Sequence, residues 1–294
     1  MALFHFASSF CSVPKLSSPS RASVGFASSK KYCPLPCQVR CKVDTQTTDL
    51  IVRRSANYQT SIWEYDFVQS LTSKYVGEPC IARAEILKAK VRMMLAKASK
   101  SLDQIGLIDT LQRLGLAYHF EDEIESILKS LVNDNYMENT MRRHDLYATA
   151  LEFRLLREHG YNIPQDVFSQ FKDEGGNFRA CFCDDMKGML YLYEATYLLF
   201  EGESILEDAR DFSTKNLKKY VKKCNTSEYL SKLVSHALEL PLAWRMLRLE
   251  ANWFVNVYET KTDMNPILLD LAKLDFNMVQ AIHQEDLKHS SRYA

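Results

Sequence analysis

From about residue 62 onward the apolar residues recur at helical spacing and nowhere alternate as a strand requires. Leu87, Val91, Met94, Leu95, Ala98 and Leu102 form one stripe at i, i+4, i+7, i+8, i+11 and i+15. That spacing lines a single helix face. The theme returns in Phe120, Ile124, Ile127, Leu128 and Leu131, and again in Leu230, Leu233, Val234, Ala237 and Leu238. A last stripe runs through Ile267, Leu271, Leu274, Met278 and Ile282. Breakers separate the stripes: Gly77–Glu78–Pro79, Gly160 to Pro164, Gly175–Gly176 and Gly202. Asn265 before Pro266 is a cap followed by proline at the first helical position. Asp166 and Ser227 are candidate caps for two others. Many medium-length helices with short connections predict an all-α fold, a bundle or an α/α barrel. No fixed repeat period supports a solenoid.

Composition narrows the function classes. Lys and Arg number 37 and Asp and Glu number 37, so the formal net charge is zero. That balance leaves no electrostatic footprint for nucleic acid or an anionic membrane. No apolar run reaches the length of a membrane-spanning helix. With only 9 glycines and 8 prolines, glycine-dependent phosphate loops are not expected, and neither G-x-G-x-x-G nor G-x-x-x-x-G-K-[ST] occurs. Four of the 8 cysteines (Cys11, Cys33, Cys37, Cys41) precede residue 42, and Cys80, Cys181, Cys183 and Cys224 are scattered. This is neither a disulfide framework nor a zinc pattern, and free thiols in a reducing compartment are the simpler reading.

The first 43 residues differ from the rest. They hold no Asp or Glu, several Lys and Arg, and abundant serine. Acid-poor, basic and Ser-rich composition marks an organelle transit peptide. Composition alone does not decide between plastid and mitochondrion.

Arg53 and Arg54 are followed by eight residues and then Trp63. This R-R-(x)8-W arrangement stands in register with Ser61 to Asp66, Leu111 to Gly115, Tyr118 to Ile124, Phe153 to Tyr161, Val167 to Lys172, Asp185 to Gly188, Leu190 to Ala195 and Trp244 to Glu250. In that order these segments resemble the N-terminal domain of plant terpene synthases of the monoterpene type. The resemblance implies residues 1–50 as a plastid (chloroplast) transit peptide, 51–262 as a class II cyclase-like α/α barrel, and 263–294 as the start of a truncated catalytic domain. It implies a family reaction in which Mg²⁺ or Mn²⁺ assists ionisation of geranyl diphosphate and the carbocation then cyclises. Departing diphosphate gathers charge that divalent cations neutralise, while a dry pocket shields the cation. It also implies that Arg53, Arg54 and Trp63 belong to an arm that closes over the substrate. The alternative for the arginine pair, pinning the arm by salt bridges, stays open, since paired arginines suit either task.

The carboxylate motifs that hold magnesium in this family, D-D-x-x-D and [N/D]-D-x-x-[S/T]-x-x-x-E, do not occur in the sequence, nor does D-x-D-D. Asp184–Asp185 lacks a third acid. Glu207, Asp208 and Asp211 have acidic spacing, but such triplets are common on solvated helix faces. Glu121, Asp122, Glu123 and Glu125 fit a helix N-terminus. His283, Asp286 and His289 spread around a helix surface. Trp244, Trp253 and Phe254 read as an aromatic core cluster. Ala243 and Asn252 stand where relatives tend to carry His and Arg. The chain is therefore expected to be inactive alone, with an apolar stripe on its last helix left uncovered. The alternative is a non-catalytic helical interaction domain, associating with itself or with a full-length synthase through that helix. The paired arginines and transit-like segment disfavour a cytosolic sesquiterpene synthase.

Overall fold

The computed structural model describes residues 62–98, 101–133, 145–223 and 228–292, all within a single compact unit. Arg53, Arg54, the acid-free segment, Ser227 and Cys224 lie outside the described residues. Among the described residues there are ten α-helices: α1 Tyr65–Ser70, α2 Glu78–Lys97, α3 Ser101–Arg113, α4 Glu121–Asn133, α5 Leu146–Glu158, α6 Met186–Thr196, α7 Ser204–Lys223, α8 Tyr229–Glu239, α9 Leu247–Tyr258 and α10 Pro266–Ser291. Short 3₁₀ turns occupy Ala117–His119, Gln165–Phe171, Ala180–Asp184 and Leu242–Trp244. The extended pairing among these residues is one isolated antiparallel bridge, Lys172 to Phe178. The all-α expectation holds.

The packing closes a ring. α3 touches α5, α5 touches α6, α6 touches α8, α8 touches α9, and α9 returns to α3. α7 lies against both α6 and α8, and α10 lies against α2 and α9. This is the α/α barrel. Its helices are buried on more than one side: α5 hides Leu146 through Arg157 almost without a break. Phe153, Phe168 and Phe171 are fully buried, and edge-to-face contact between Phe153 and Phe168, centroids 5.0 Å apart, joins α5 to the Gln165–Phe171 turn. Arg157 ties the segment ahead of that turn to the end of α6, donating from Nε to the carbonyl of Ile163 at 3.0 Å and from Nη1 to that of Leu198 at 2.9 Å.

Gly115 shows how tightly α3 meets α9. Its φ of +73° is left-handed, and a Cβ there would stand 2.9 Å from the Cβ of Ala251. Only glycine meets both demands cheaply. α10 begins as its sequence predicts: the Asn265 side chain accepts from the amides of Ile267 at 2.9 Å and Leu268 at 3.4 Å, with Pro266 at the first position.

Four expectations need correction. The stripe from Leu87 to Leu102 is not one helix: α2 ends at Lys97, Ala98 turns extended, and Leu102 belongs to α3. The cap amide of Ala98 closes α2 on the Met94 carbonyl, and α3 is a separate helix from Ser101. Asp166 is not a cap; it sits in the first turn of Gln165–Phe171, behind Pro164, whose fixed φ opens that turn without a side-chain acceptor. The last stripe is largely covered rather than exposed. Leu268, Leu271 and Leu274 are buried because α2 and α9 pack on the N-terminal half of α10, leaving Ile282 and Leu287 outside. The aromatic cluster comes apart as well. Phe254 is buried and Trp253 half-buried, but Trp244 is 64% exposed, held out on the Leu242–Trp244 turn with an edge contact to Tyr197.

Candidate functional site

The ring surrounds a polar cleft. Its walls are Asp109 and Arg113 from α3, Arg154 from α5, Leu190, Tyr191 and Glu194 from α6, and Leu233, His236 and Ala237 from α8. Leu242, Arg245 and Glu250 complete it from the α8–α9 connection and α9. Every helix of the ring therefore contributes, and the cleft is the barrel's own centre. Its own side chains nearly fill it, leaving about 10 Å³, the room of a single water.

The charges in the cleft are matched to one another. Arg154, almost wholly buried, donates to Asp109 and, through Nη1, to Glu158 at 2.9 Å. Tyr191 donates its hydroxyl to the second oxygen of Asp109 at 2.7 Å. Glu250 accepts from Arg113 at 3.0 Å on one oxygen and faces His236 Nε2 at 2.7 Å on the other. His236 lies flat on Trp253, ring centroids 3.3 Å apart. Arg245 turns inward, donating to the carbonyls of Leu240 and His236. Glu194 accepts from the backbone amide of Leu242 at 2.8 Å.

Burial and pairing compete differently at the two glutamates. At Glu250 burial pushes the carboxyl up, but His236 and Arg113 outweigh it and hold the group below the ordinary range. Glu194 has one amide donor and more distant arginines, so burial wins and lifts its carboxyl to about 7. Asp109 and Glu250 keep Arg113 charged against its own burial.

This cleft does not fit a magnesium ion. A hard dication needs several free carboxylate or water oxygens. Here Asp109 and Glu250 are occupied by arginine, tyrosine and histidine partners, and three guanidiniums share the walls. The other acids are dispersed. Asp185 caps α6 by accepting from Gly188 at 2.8 Å, and Asp208 pairs with Lys172 at 2.8 Å on the surface. Glu121, Asp122 and Glu123 occupy the first turn of α4, where Glu123 binds Arg92 at 2.8 Å. His283, Asp286 and His289 are exposed on α10. Among the described residues no three His, Cys, Asp or Glu side chains converge as a metal site.

A second locus joins the start of the described chain to its last helix. Trp63 is 58% exposed and stacks on Phe67, centroids 5.3 Å apart. α1 is held to α10 through Gln69, which donates to the Lys288 carbonyl and the Ser291 hydroxyl, each at 2.9 Å. Farther up α10, Asp275 accepts from Tyr118 at 2.6 Å and faces His119 Nε2 at 2.8 Å. Burial raises the Asp275 carboxyl, yet the hydrogen bonds from His119 and Tyr118 bring it below its ordinary value.

Residues 62–238 match the family model described as terpene synthase, N-terminal domain. The chain belongs to the terpene synthase family. Among its relatives, (-)-alpha-terpineol synthase of Vitis vinifera is 55% identical over 96% of this chain and 48% of its own length. A chloroplastic myrcene synthase of Quercus ilex is 56% identical over 88% of this chain and 43% of its own. This terpene synthase chain thus spans about half the length of the curated relatives it matches. A crystal structure of limonene synthase with 2-fluorolinalyl diphosphate overlays with a TM-score of 0.76 at 43% identity, covering 81% of this chain and 44% of that one. Isoprene synthase of grey poplar, solved with three Mg²⁺ ions and dimethylallyl-S-thiolodiphosphate, overlays at 0.69 with 41% identity, covering 79% and 42%.

The sequence reading missed the cleft. Asp109, Arg113, Glu194, His236 and Arg245 were not singled out, although Arg113, Arg154, Glu194, Arg245 and Glu250 lie inside segments quoted for the family resemblance. One signal was available: α5 carries Glu152, Arg154 and Arg157 among apolar residues on every side, and such a helix has no solvent face on which to place a charge.

Proposed function

We propose that this chain supplies the scaffold half of a plastid monoterpene synthase, and that residues 62–262 perform no carbon chemistry themselves. The observation that carries the reading is the state of the buried carboxylates. Asp109 and Glu250 are already bound by Arg154, Tyr191, Arg113 and His236, so the barrel offers a leaving diphosphate no metal cluster. In the whole enzyme, Mg²⁺ or Mn²⁺ would assist loss of diphosphate from geranyl diphosphate, using ligands that the described residues do not offer. The stretch 263–294 is read as the start of that second domain.

Arg53, Arg54 and Trp63 are assigned to the arm over the substrate pocket. Support comes from the position of Trp63 just before α1, which Gln69 clasps to α10. The residues before about position 50 are assigned to plastid targeting. Their composition supports this, as do relatives named chloroplastic from Quercus ilex and Cannabis sativa.

Incubating the purified chain with geranyl diphosphate and Mg²⁺, then with Mn²⁺, and analysing released hydrocarbons tests the scaffold assignment. No product above a heat-treated control is expected; a terpene above that level refutes it. Fusing residues 1–50 to a fluorescent protein tests targeting, for which plastid fluorescence is expected and a cytosolic signal refutes the assignment.

A second reading, association with another synthase or a second copy, is favoured by one observation. Trp244, Met246, Leu247 and Leu249 stand 64–77% exposed at the α9 edge, while Ile282 and Leu287 emerge from α10. Contiguous exposed apolar side chains of this kind mark contact surfaces. Light scattering of the purified chain decides it: a complex larger than the monomer supports the reading, and a clean monomer refutes self-association.

A further inference from the structure

Helix α7 carries its charges in two blocks. Leu206, Ala209, Ser213, Asn216 and Leu217 are buried and fix which face meets the barrel. The outer face begins acidic, with Glu207, Asp208 and Asp211, and ends basic, with Lys215, Lys218, Lys219, Lys222 and Lys223, all exposed. The five lysines stand at i, i+3, i+4, i+7 and i+8, the spacing of one helix stripe. No acid interrupts them from Phe212 to Lys223. Among the described residues none of the five is paired with a carboxylate, whereas Asp208 is taken by Lys172.

Two ordinary explanations do not cover the stripe. The helix dipole favours cations only within the last turn, which accounts for Lys222 and Lys223 and not for the three before them. Helix pairing works against it, since like charges three and four residues apart repel. The zero net charge of the chain removes a global footprint but not this local one, because charges farther away than about 8 Å are screened at physiological salt.

We propose that the basic half of α7 is a docking surface for an anionic lipid membrane, held by attraction between lysines and headgroups without insertion.

The residue types choose this partner. The stripe is lysine throughout, a compact point charge without the arginine fork that clamps a phosphate at fixed geometry. Its aromatic neighbours Phe212 and Tyr220 are half-buried, so no exposed ring stands there for a base to stack on. A fluid anionic surface asks for neither fork nor stacking platform, only for several cations on one face. A second copy of α7 offers matching charge, but exposed ion pairs contribute too little each to meet the entropic cost of association. The residues between the lysines are buried or half-buried. With no exposed apolar side chain to insert, the attachment is electrostatic and reversed by salt.

Flotation of the full chain with phosphatidylcholine vesicles, with and without about one-third phosphatidylglycerol, tests this. At about 20 mM salt the chain should rise with the anionic vesicles and not with the neutral ones, and about 0.5 M salt should release it. Each lysine near such a surface strengthens partitioning about fivefold, so K215Q/K218Q/K219Q should weaken it about a hundredfold. Glutamine keeps the helix propensity, and unchanged circular dichroism verifies the fold. K74Q/K90Q/K97Q removes the same charge from exposed lysines in and before α2 and should change partitioning less than about threefold. Equal losses in the two triple variants would assign the attraction to net charge and overturn the proposal. An α7 variant that binds like the wild type overturns it too, giving the attraction to another segment such as the acid-free residues 1–43. So does a chain that ignores anionic vesicles, or one that stays bound at high salt. Labelled single-stranded RNA that displaces the chain from the vesicles and binds it more tightly would reassign the stripe to nucleic acid and overturn the lipid assignment. Should the α7 variant fail to fold, acetylation of the unmodified chain with and without anionic vesicles decides. Protection of the five lysine amines supports the proposal, and equal labelling overturns it.

Discussion

The centre of the ring and the junction of α1 with α10 are held by opposite means. In the ring, charges are buried, mutually paired and surrounded by apolar side chains from five helices. At the α1–α10 junction a glutamine clasp and a largely exposed aromatic pair sit on the surface. Removing one partner from a buried pair strands a charge, whereas removing an exposed contact lets water replace it. The ring is thus fixed by its own residues, whereas the junction is held by contacts that water can replace.

Substitutions sharpen that contrast. Arg154→Leu should have the largest effect, because it leaves Asp109 buried without its guanidinium. A loss of about 3–5 kcal/mol is expected in denaturant unfolding, and a loss under about 1 kcal/mol would break the picture of an interdependent ring. Gly115→Ala should cost about 1–3 kcal/mol, combining a left-handed backbone with the clash at Ala251. A neutral result would mean that α3 and α9 slide freely. Asp275→Asn should cost about 1–3 kcal/mol. In the wild type, the stability from Asp275 has a definite sign. Its carboxyl is depressed from 3.8, so this contribution is present above that pH and is lost as pH falls through the lower folded value. Acid unfolding of D275N should lack that limb. Gln69→Ala should cost least, under about 1 kcal/mol, yet raise proteolytic cleavage around α1. Unchanged cleavage would show that the clasp does not hold the arm.

The helices and their ring order differ in how far the sequence announced them. Stripes such as Phe120 to Leu131 and the Asn265–Pro266 start were legible because helix periodicity and capping are local. The Leu87–Leu102 stripe misled because its spacing continued past Ala98, whose extended backbone ends α2 whatever the apolar rhythm. The last stripe looked unpartnered because its cover, α2, lies almost two hundred residues earlier in the chain, and no local pattern records such a pairing. The cleft was least legible. Glu194 and Arg113 have the same helical spacing as solvated charges elsewhere, and only ring closure places them face to face. That the cleft itself suits no magnesium ion needed the fold, because its carboxylates are already bound by arginine, tyrosine and histidine partners.

The most direct test of the scaffold account is paramagnetic. With Mn²⁺ and a diphosphate analogue added to the full chain, the account predicts no site-specific broadening of amides around Asp109, Glu194 and Glu250. Saturable broadening centred on those three residues would mean that the cleft holds a metal after all, and would contradict it.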